Sequence, residues 1–261
     1  MDDALALLCL QVEWGADEAI DPSPIDRAPI DRLRSVEARP VAIPRPAIAT
    51  VQPPKGTPGE RALSLASQSA TLEELRTAVA GFDGCALRDT ASNLVFAEGD
   101  VSSSTLIVGE PPGREEDRGG HPFAGAEGQL LDQMLGSIGL RRGDLMLTPL
   151  LPWRPPGGRP PSPGEIAICL PFLHRLIALL KPQRIVVFGG TATRALLGPN
   201  QNRRRGARGW AELSIPGLPQ TLPAMALPSL ADMLKNPPLR RDAWAGLRLL
   251  RRTIDSSQTG T

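Results

Sequence analysis

Between residues 104 and 256 the chain alternates short apolar runs with longer amphipathic stretches. The apolar runs are Leu106–Val108, Leu145–Leu151, Arg184–Phe188 and Leu222–Leu227. Helical spacing of apolar residues marks Gly128–Ile138, Gly164–Leu180, Thr191–Leu197 and Arg240–Thr253. Near-continuous apolar strands separated by helices describe a parallel sheet covered on both faces. The pattern therefore predicts a three-layer α/β/α sandwich around a central, mostly parallel four-stranded sheet. Ligands of such sheets bind beyond the carboxyl ends of the strands, which directs attention to the loops beginning at Gly109, Thr148, Gly189 and Leu227.

Upstream the pattern is weaker. Leu5, Leu8 and Val12 share one face of a helix from Ala4 to Trp14, with Asp2 as cap and Gly15 as stop. Six prolines between Ala38 and Gly59 come with no sustained apolar period, so residues 16–68 are read as a flexible, proline-rich linker. A helix is expected over Leu72–Ala80, opened by a capping box of Thr71 and Glu74. The organisation is thus a helix over 1–15, a linker over 16–68, one α/β domain over 69–256 and a disordered tail over 257–261.

Composition changes this picture in three places. The chain is 41% hydrophobic with 28 Pro and 26 Gly, enough apolar residues for a single core with irregular surroundings. Charge is balanced overall but not along the chain: residues 1–180 hold 16 basic and 24 acidic side chains, and residues 181–261 hold 13 and 4. The last third is a basic segment on an acidic body. No run of ~18 apolar residues is present for a membrane span, and the acidic Met1-Asp2-Asp3 start is unlike a secretory signal. A cytoplasmic protein without a membrane partner is expected, with association to the nucleoid left open. Cys9, Cys85 and Cys169 are too few and too scattered for a disulfide framework.

The candidate chemistry lies in the loops. The first runs from Gly109 through Glu110, Pro111 and Gly113 to His121 and Phe123; its glycines and prolines make a stiff bend that lets backbone amides approach a ligand. Glu110 is the carboxylate such a bend would aim into the crevice, against the competing reading of a helix-terminal or salt-bridged surface carboxylate. The second loop holds Trp153, Arg154 and Arg159, two arginines suited to phosphate. Arg203, Arg204, Arg205 and Arg208 form an Arg/Gly stretch that attracts phosphate without reading sequence, or else a solvated loop.

These segments, GEPPGREED, HPFAG, WRPPGGR, the stretch around Cys169, Lys181-Pro182, 189–198 and 235–247, occur in the order found in the uracil-DNA glycosylase superfamily, and the chain resembles its family 4 from about Leu72 to Ile254. The stretch Gln11–Gly15 is similar to a leader carried by such proteins in some bacteria. The resemblance implies a fold of that kind and DNA repair by hydrolysis of the N-glycosidic bond of a flipped uracil. It gives Glu110 the role of positioning the hydrolytic water and Phe123 that of stacking on the base, with Gly109, Pro111, Gly113 and His121 around it; Phe123 as a packed core aromatic and His121 as a solvated imidazole are the alternatives. Ser229 falls with Arg154, Arg159 and the Arg203–Arg208 stretch among positions that face DNA.

Two positions depart from the family. Where it has an Asn that reads the uracil edge, this chain has Pro149, with no side-chain donor and no N–H. Where it has a His that donates to the uracil oxygen, this chain has Leu227. Loss of one such donor costs ~10²–10³ in rate, so excision is expected to be weakened or lost. The family's 4Fe-4S cluster takes four cysteines, and the matching positions are Phe82, Cys85, Trp153 and Cys169; two thiolates do not satisfy it, so no cofactor is expected. A metal site would need Cys9 and a further ligand. Three readings follow: an active glycosylase, a DNA- or damage-binding protein without catalysis, and a protein that recruits a partner through the helix from Ala4 to Trp14. A monomer is expected.

Overall fold

The structure is a computed structural model that describes residues 56–199 and 209–258. The helix expected over residues 4–14, most of the linker, Arg203, Arg204, Arg205, Arg208 and the last three residues lie outside that range.

The linker expectation ends too late. Residues 58–68 are not tether but helix α1 (Pro58–Gln68), started by Thr57 and Glu60 in a reciprocal capping box with Pro58 in the first turn. Ala62 and Ala66 are buried, with the half-buried Leu65 packed against the same core, where α1 lies along a later helix; a stripe built largely of small residues does not stand out behind the prolines that precede it. Helix α2 (Leu72–Gly81) follows. Thr71 caps it as expected, accepting from Glu74 N at 3.1 Å, but the Glu74 carboxylate turns to Ala70 N instead of completing the box.

The remaining elements run α3 (Leu87–Thr90), β1 (Glu98–Gly99), β2 (Thr105–Gly109), α4 (Arg114–Gly119), α5 (Gly125–Gly136), β3 (Met146–Pro149), α6 (Pro163–Leu180), β4 (Arg184–Phe188), α7 (Gly190–Leu197), β5 (Ala211–Leu213), β6 (Leu222–Leu227), α8 (Leu230–Lys235) and α9 (Leu239–Gln258). The sheet order is β1-β3-β2-β4-β6-β5. Its four inner strands are mutually parallel, as expected, while β1 and β5 pair antiparallel at the two edges. Among the described residues the sheet therefore has six strands rather than four. The edge strands, two and three residues long, are too short to show a period of their own. Helix α9 also carries the chain two residues into the stretch expected as a tail.

Side chains alternate between the two layers as the pleat requires. Leu106, Val108, Ile185, Val187 and Ala224 join the core under α1, α2, α6 and α7. Ile107, Val186, Phe188, Met225 and Leu227 join the other, with Leu131 and Leu135 of α5, Met233 of α8 and Leu247 and Leu250 of α9. Helix α6 has the length and hydropathy of a membrane span, but Cys169, Phe172, Leu173, Leu176 and Ile177 are buried against the sheet, as in a core helix.

Candidate active site

Strand β2 lies between β3 and β4, so the connections leaving it and β3 diverge and a crevice opens at its carboxyl end. The strand ends cluster there. Gly109 faces Pro149 in the register of β2 and β3, and Leu150 N donates to Gly109 O at 3.0 Å. On the other side Phe188 faces Leu227, and Gly189 N donates to Leu227 O at 2.9 Å. All four loops singled out from the strand pattern thus meet at one edge.

Glu110 follows β2 directly and reaches across to the start of α7, where its Oε1 accepts from Thr191 N at 2.8 Å. The N-terminal turn of a helix offers free amides and a positive dipole end, and a carboxylate is the natural partner. Burial raises the Glu110 pKa; the Thr191 hydroxyl, the Thr191 and Ala192 amides and the charge of Arg194 oppose that rise without cancelling it. Glu127, in the first turn of α5, is likewise raised, by burial and then by the charge of Glu110, with Lys235 opposing. Glu110 and Glu127 are thus both half-buried carboxylates whose charged forms burial disfavours.

Phe123 is held by its backbone. It is one of two non-glycine residues among those described with positive φ, at 54°. Its N–H donates to Glu116 Oε1 at 2.5 Å and its carbonyl accepts from Arg142 Nη2 at 2.7 Å, while Arg142 also bonds Pro122 O and Asp132. Glu116 is itself tied to Gly113 N at 2.6 Å, and burial raises its pKa. Such over-determination is what a strained φ requires. The ring lies on Gly109, where an added Cβ would come within 2.7 Å of Cζ. Phe123 is 4% exposed, a packed aromatic in the core that also holds Leu131 and Leu135.

The other expected site residues are distributed unevenly. Pro111 is half-buried, and the Gly113 amide is taken by Glu116. His121 is exposed at the rim, paired with Glu98 at 3.0 Å. Arg159 is bonded twice to Glu165, which holds that carboxyl down to about 2. Ser229 is buried and caps α8 through Asp232 N at 3.0 Å. Arg154 stands 4.0 Å from the buried Asp117, and its Nε has no partner. Leu227 is 6% exposed and packs where α9 comes closest, over Gly246.

Thr191, Glu116, Arg142 and Glu127 carry no site assignment in the sequence, and Gly189 enters there only as the start of a loop. Glu116 three residues after Gly113 carried a helix-start signal; Arg142 and Thr191 carried none, because their partners belong to other elements.

Phe82, Cys85, Trp153 and Cys169 converge in one core and are all between 1% and 3% exposed. Cys169 Sγ donates to Cys85 Sγ at 3.7 Å, and Phe82 packs edge-on against Phe172 with ring centroids 5.2 Å apart. Two sulfurs in contact, with an aromatic side chain at each remaining position, leave neither the ligands nor the volume for an iron–sulfur core. These residues do not fit the cluster. No group of three or more His, Cys, Asp and Glu side chains is placed to hold a metal ion among the described residues.

A sequence model of the "Uracil DNA glycosylase superfamily" matches residues 96–248. The type-4 uracil-DNA glycosylase of Pyrobaculum aerophilum is 41% identical over 126 residues, covering 48% of this chain and 64% of that protein. That of Archaeoglobus fulgidus is 45% identical over 105 residues, 40% of this chain and 53% of its own length. That of Sulfurisphaera tokodaii is 35% identical over 177 residues, 63% and 80% respectively. The chain thus spans between half and two thirds of the first two relatives, and four fifths of the third. With the glycine-rich turn after β2, the carboxylate beyond it and the crevice at the strand ends all inside the matched region, the chain belongs to the uracil-DNA glycosylase superfamily.

Proposed function

We propose that this protein acts in DNA repair as a uracil-DNA glycosylase-like protein that receives an extruded base at the carboxyl ends of β2, β3, β4 and β6. The observation that carries this is the placement of Glu110: a half-buried carboxylate directly beyond β2, pinned by the first amides of α7 at the carboxyl ends of the strands. In this reading Glu110 positions the water that attacks the sugar carbon as uracil leaves. Phe123, locked over Gly109, supplies the aromatic floor, and stacking of this kind contributes ~1–3 kcal/mol per base.

The reading includes weakened chemistry. Pro149 ends β3 with no donor toward the base edge, and Leu227 brings a packed aliphatic group where charge would develop on the leaving uracil. A non-catalytic DNA- or damage-binding role is favoured by those same two residues and is the second reading. DNA is the partner in both, met through the basic last third of the chain, and a cytoplasmic location follows from that partner. The deciding measurement is excision from single- and double-stranded uracil-containing DNA, with Glu110→Gln as control. Release of uracil by the wild type that Glu110→Gln abolishes supports the glycosylase; retained DNA binding without release moves the assignment to the binding protein.

A further inference from the structure

Cys85 and Cys169 are 84 positions apart, yet their sulfurs touch at 3.7 Å. Both are free thiols, both are buried, and nothing in the proposed base-excision chemistry uses them. Cys85 lies in the turn between α2 and α3, beside Gly84, whereas Cys169 is fixed in the middle of α6. A disulfide needs an S–S distance of about 2.05 Å. The sulfurs must therefore close by roughly 1.6 Å, a movement that falls to the turn-borne Cys85 more than to the helix-fixed Cys169.

A metal is the other use for paired thiols, but no third ligand is at hand among the described residues. Access distinguishes this pair from an inert core thiol. Cys169 lines a small cavity with Phe96, Thr148, Pro149 and Leu173 on the side of the β3 loop, and Cys85 sits directly behind it, in contact through the two sulfurs.

We propose that Cys85 and Cys169 form a peroxide-oxidisable dithiol that closes to an intramolecular disulfide, with Cys85 attacking the oxidant and Cys169 resolving the product. The Cys85 thiolate attacks one oxygen of a hydroperoxide; the O–O bond breaks, hydroxide leaves, and Cys85 becomes a sulfenic acid. Cys169 sulfur then displaces the sulfenic oxygen as water, forming the S–S bond. Two thiols and one hydrogen peroxide give one disulfide and two waters, the sulfurs losing two electrons in total. The direction of the contact assigns the roles. Cys85 accepts in that contact and lies in a turn, whereas Cys169 donates and is fixed within α6, so the first thiolate belongs to Cys85; the same contact lowers the Cys85 pKa and raises that of Cys169.

The test uses the full chain. Reduced protein is exposed to hydrogen peroxide, quenched, denatured, alkylated and mapped by mass spectrometry without reductant. The expected result is a linked peptide joining Cys85 to Cys169, loss of alkylation at both, and reversal by dithiothreitol. In Cys169→Ser a sulfenic-acid probe such as dimedone should label Cys85; in Cys85→Ser it should not label Cys169. Full alkylation of both cysteines after peroxide, or a linkage through Cys9 instead, overturns the proposal. Labelling of Cys169 in place of Cys85 overturns the assignment of roles. The wild-type map needs no variant, so the test stands even where a substitution impairs folding.

Discussion

The Glu110 carboxylate fills the volume that a side chain at position 189 would need. Gly189 has φ 96° and ψ 160°, a conformation reached essentially by glycine alone, and a Cβ built there would overlap Glu110 Oε1. The glycine serves two purposes at once: it turns the chain from β4 into α7 and leaves the space in which the carboxylate meets Thr191 N. Gly189→Ala is expected to cost about 1–3 kcal/mol in backbone strain and to dislodge Glu110. Urea unfolding should show the loss of stability, and any uracil release should fall to the level of Glu110→Gln while DNA binding persists.

Burial raises the Glu110 pKa, and that fixes the sign of its pH dependence. A carboxyl whose folded pKa lies above its unfolded value favours folding below the unfolded pKa and loses that contribution as pH rises through the folded pKa. The Glu110→Gln variant should therefore gain stability relative to wild type on going from pH 4 to pH 8. Removing the charge also relieves Glu127, which adds in the same direction. Thermal unfolding of both proteins across that range checks it; a constant difference would show that Glu110 is not desolvated. Any excision should rise with pH as Glu110 ionises, since the water-positioning form is the anion.

Restoring the two missing donors should have separable effects. Pro149→Asn should strengthen binding of uracil-containing DNA more than excision, because a donor to the base edge acts in ground state and transition state alike. Leu227→His should raise the rate, by up to ~10²–10³ for one well-placed donor. It should also cost stability, about 1–3 kcal/mol for an imidazole placed among apolar neighbours, since Leu227 packs over Gly246. Single-turnover kinetics should show the double change acting more than additively, as both donors grip one ring. Excision by the wild type that is undiminished beside the double variant would mean that another residue has replaced them.

The packing of Phe82 and Trp153 around the two thiols leads to an expectation about metal content. Purified protein should contain no stoichiometric iron and show no broad visible absorption, and its unfolding midpoint should not change with chelator, because no metal binding is coupled to its folding. Iron analysis and absorption spectroscopy on one preparation decide it.

Arg203, Arg204 and Arg205 are expected to neutralise phosphates. Changing all three to Ala should reduce the slope of log affinity against log salt by up to ~0.9 for each duplex phosphate that is no longer neutralised, with little change in preference between sequences. Binding isotherms at several salt concentrations measure this, and an unaltered slope would make the stretch a solvated loop.

Features with a local period or a local signal were legible in the amino-acid order. The four inner strands, their parallel arrangement between two layers and the helices over them are written in runs and repeats that lie within one element. So is the position of Glu110 after a strand, and so are the departures at Pro149 and Leu227, because a residue type can be read without knowing its neighbours. Short edges escaped: β1 and β5 borrow their partners from β3 and β6 and have no pattern of their own. Helix α1 was hidden because two buried alanines make a faint stripe behind a proline-rich approach.

The long-range pairings became visible in the folded chain alone. Glu110 finds Thr191 across 81 positions, and Cys85 finds Cys169 across 84. Arg142 reaches back 19 positions to hold the carbonyl of a strained Phe123. Those pairings depend on the order of strands in the sheet and on which crossover passes over which face. They carry no local mark, because the energy that selects them comes from packing whole elements together.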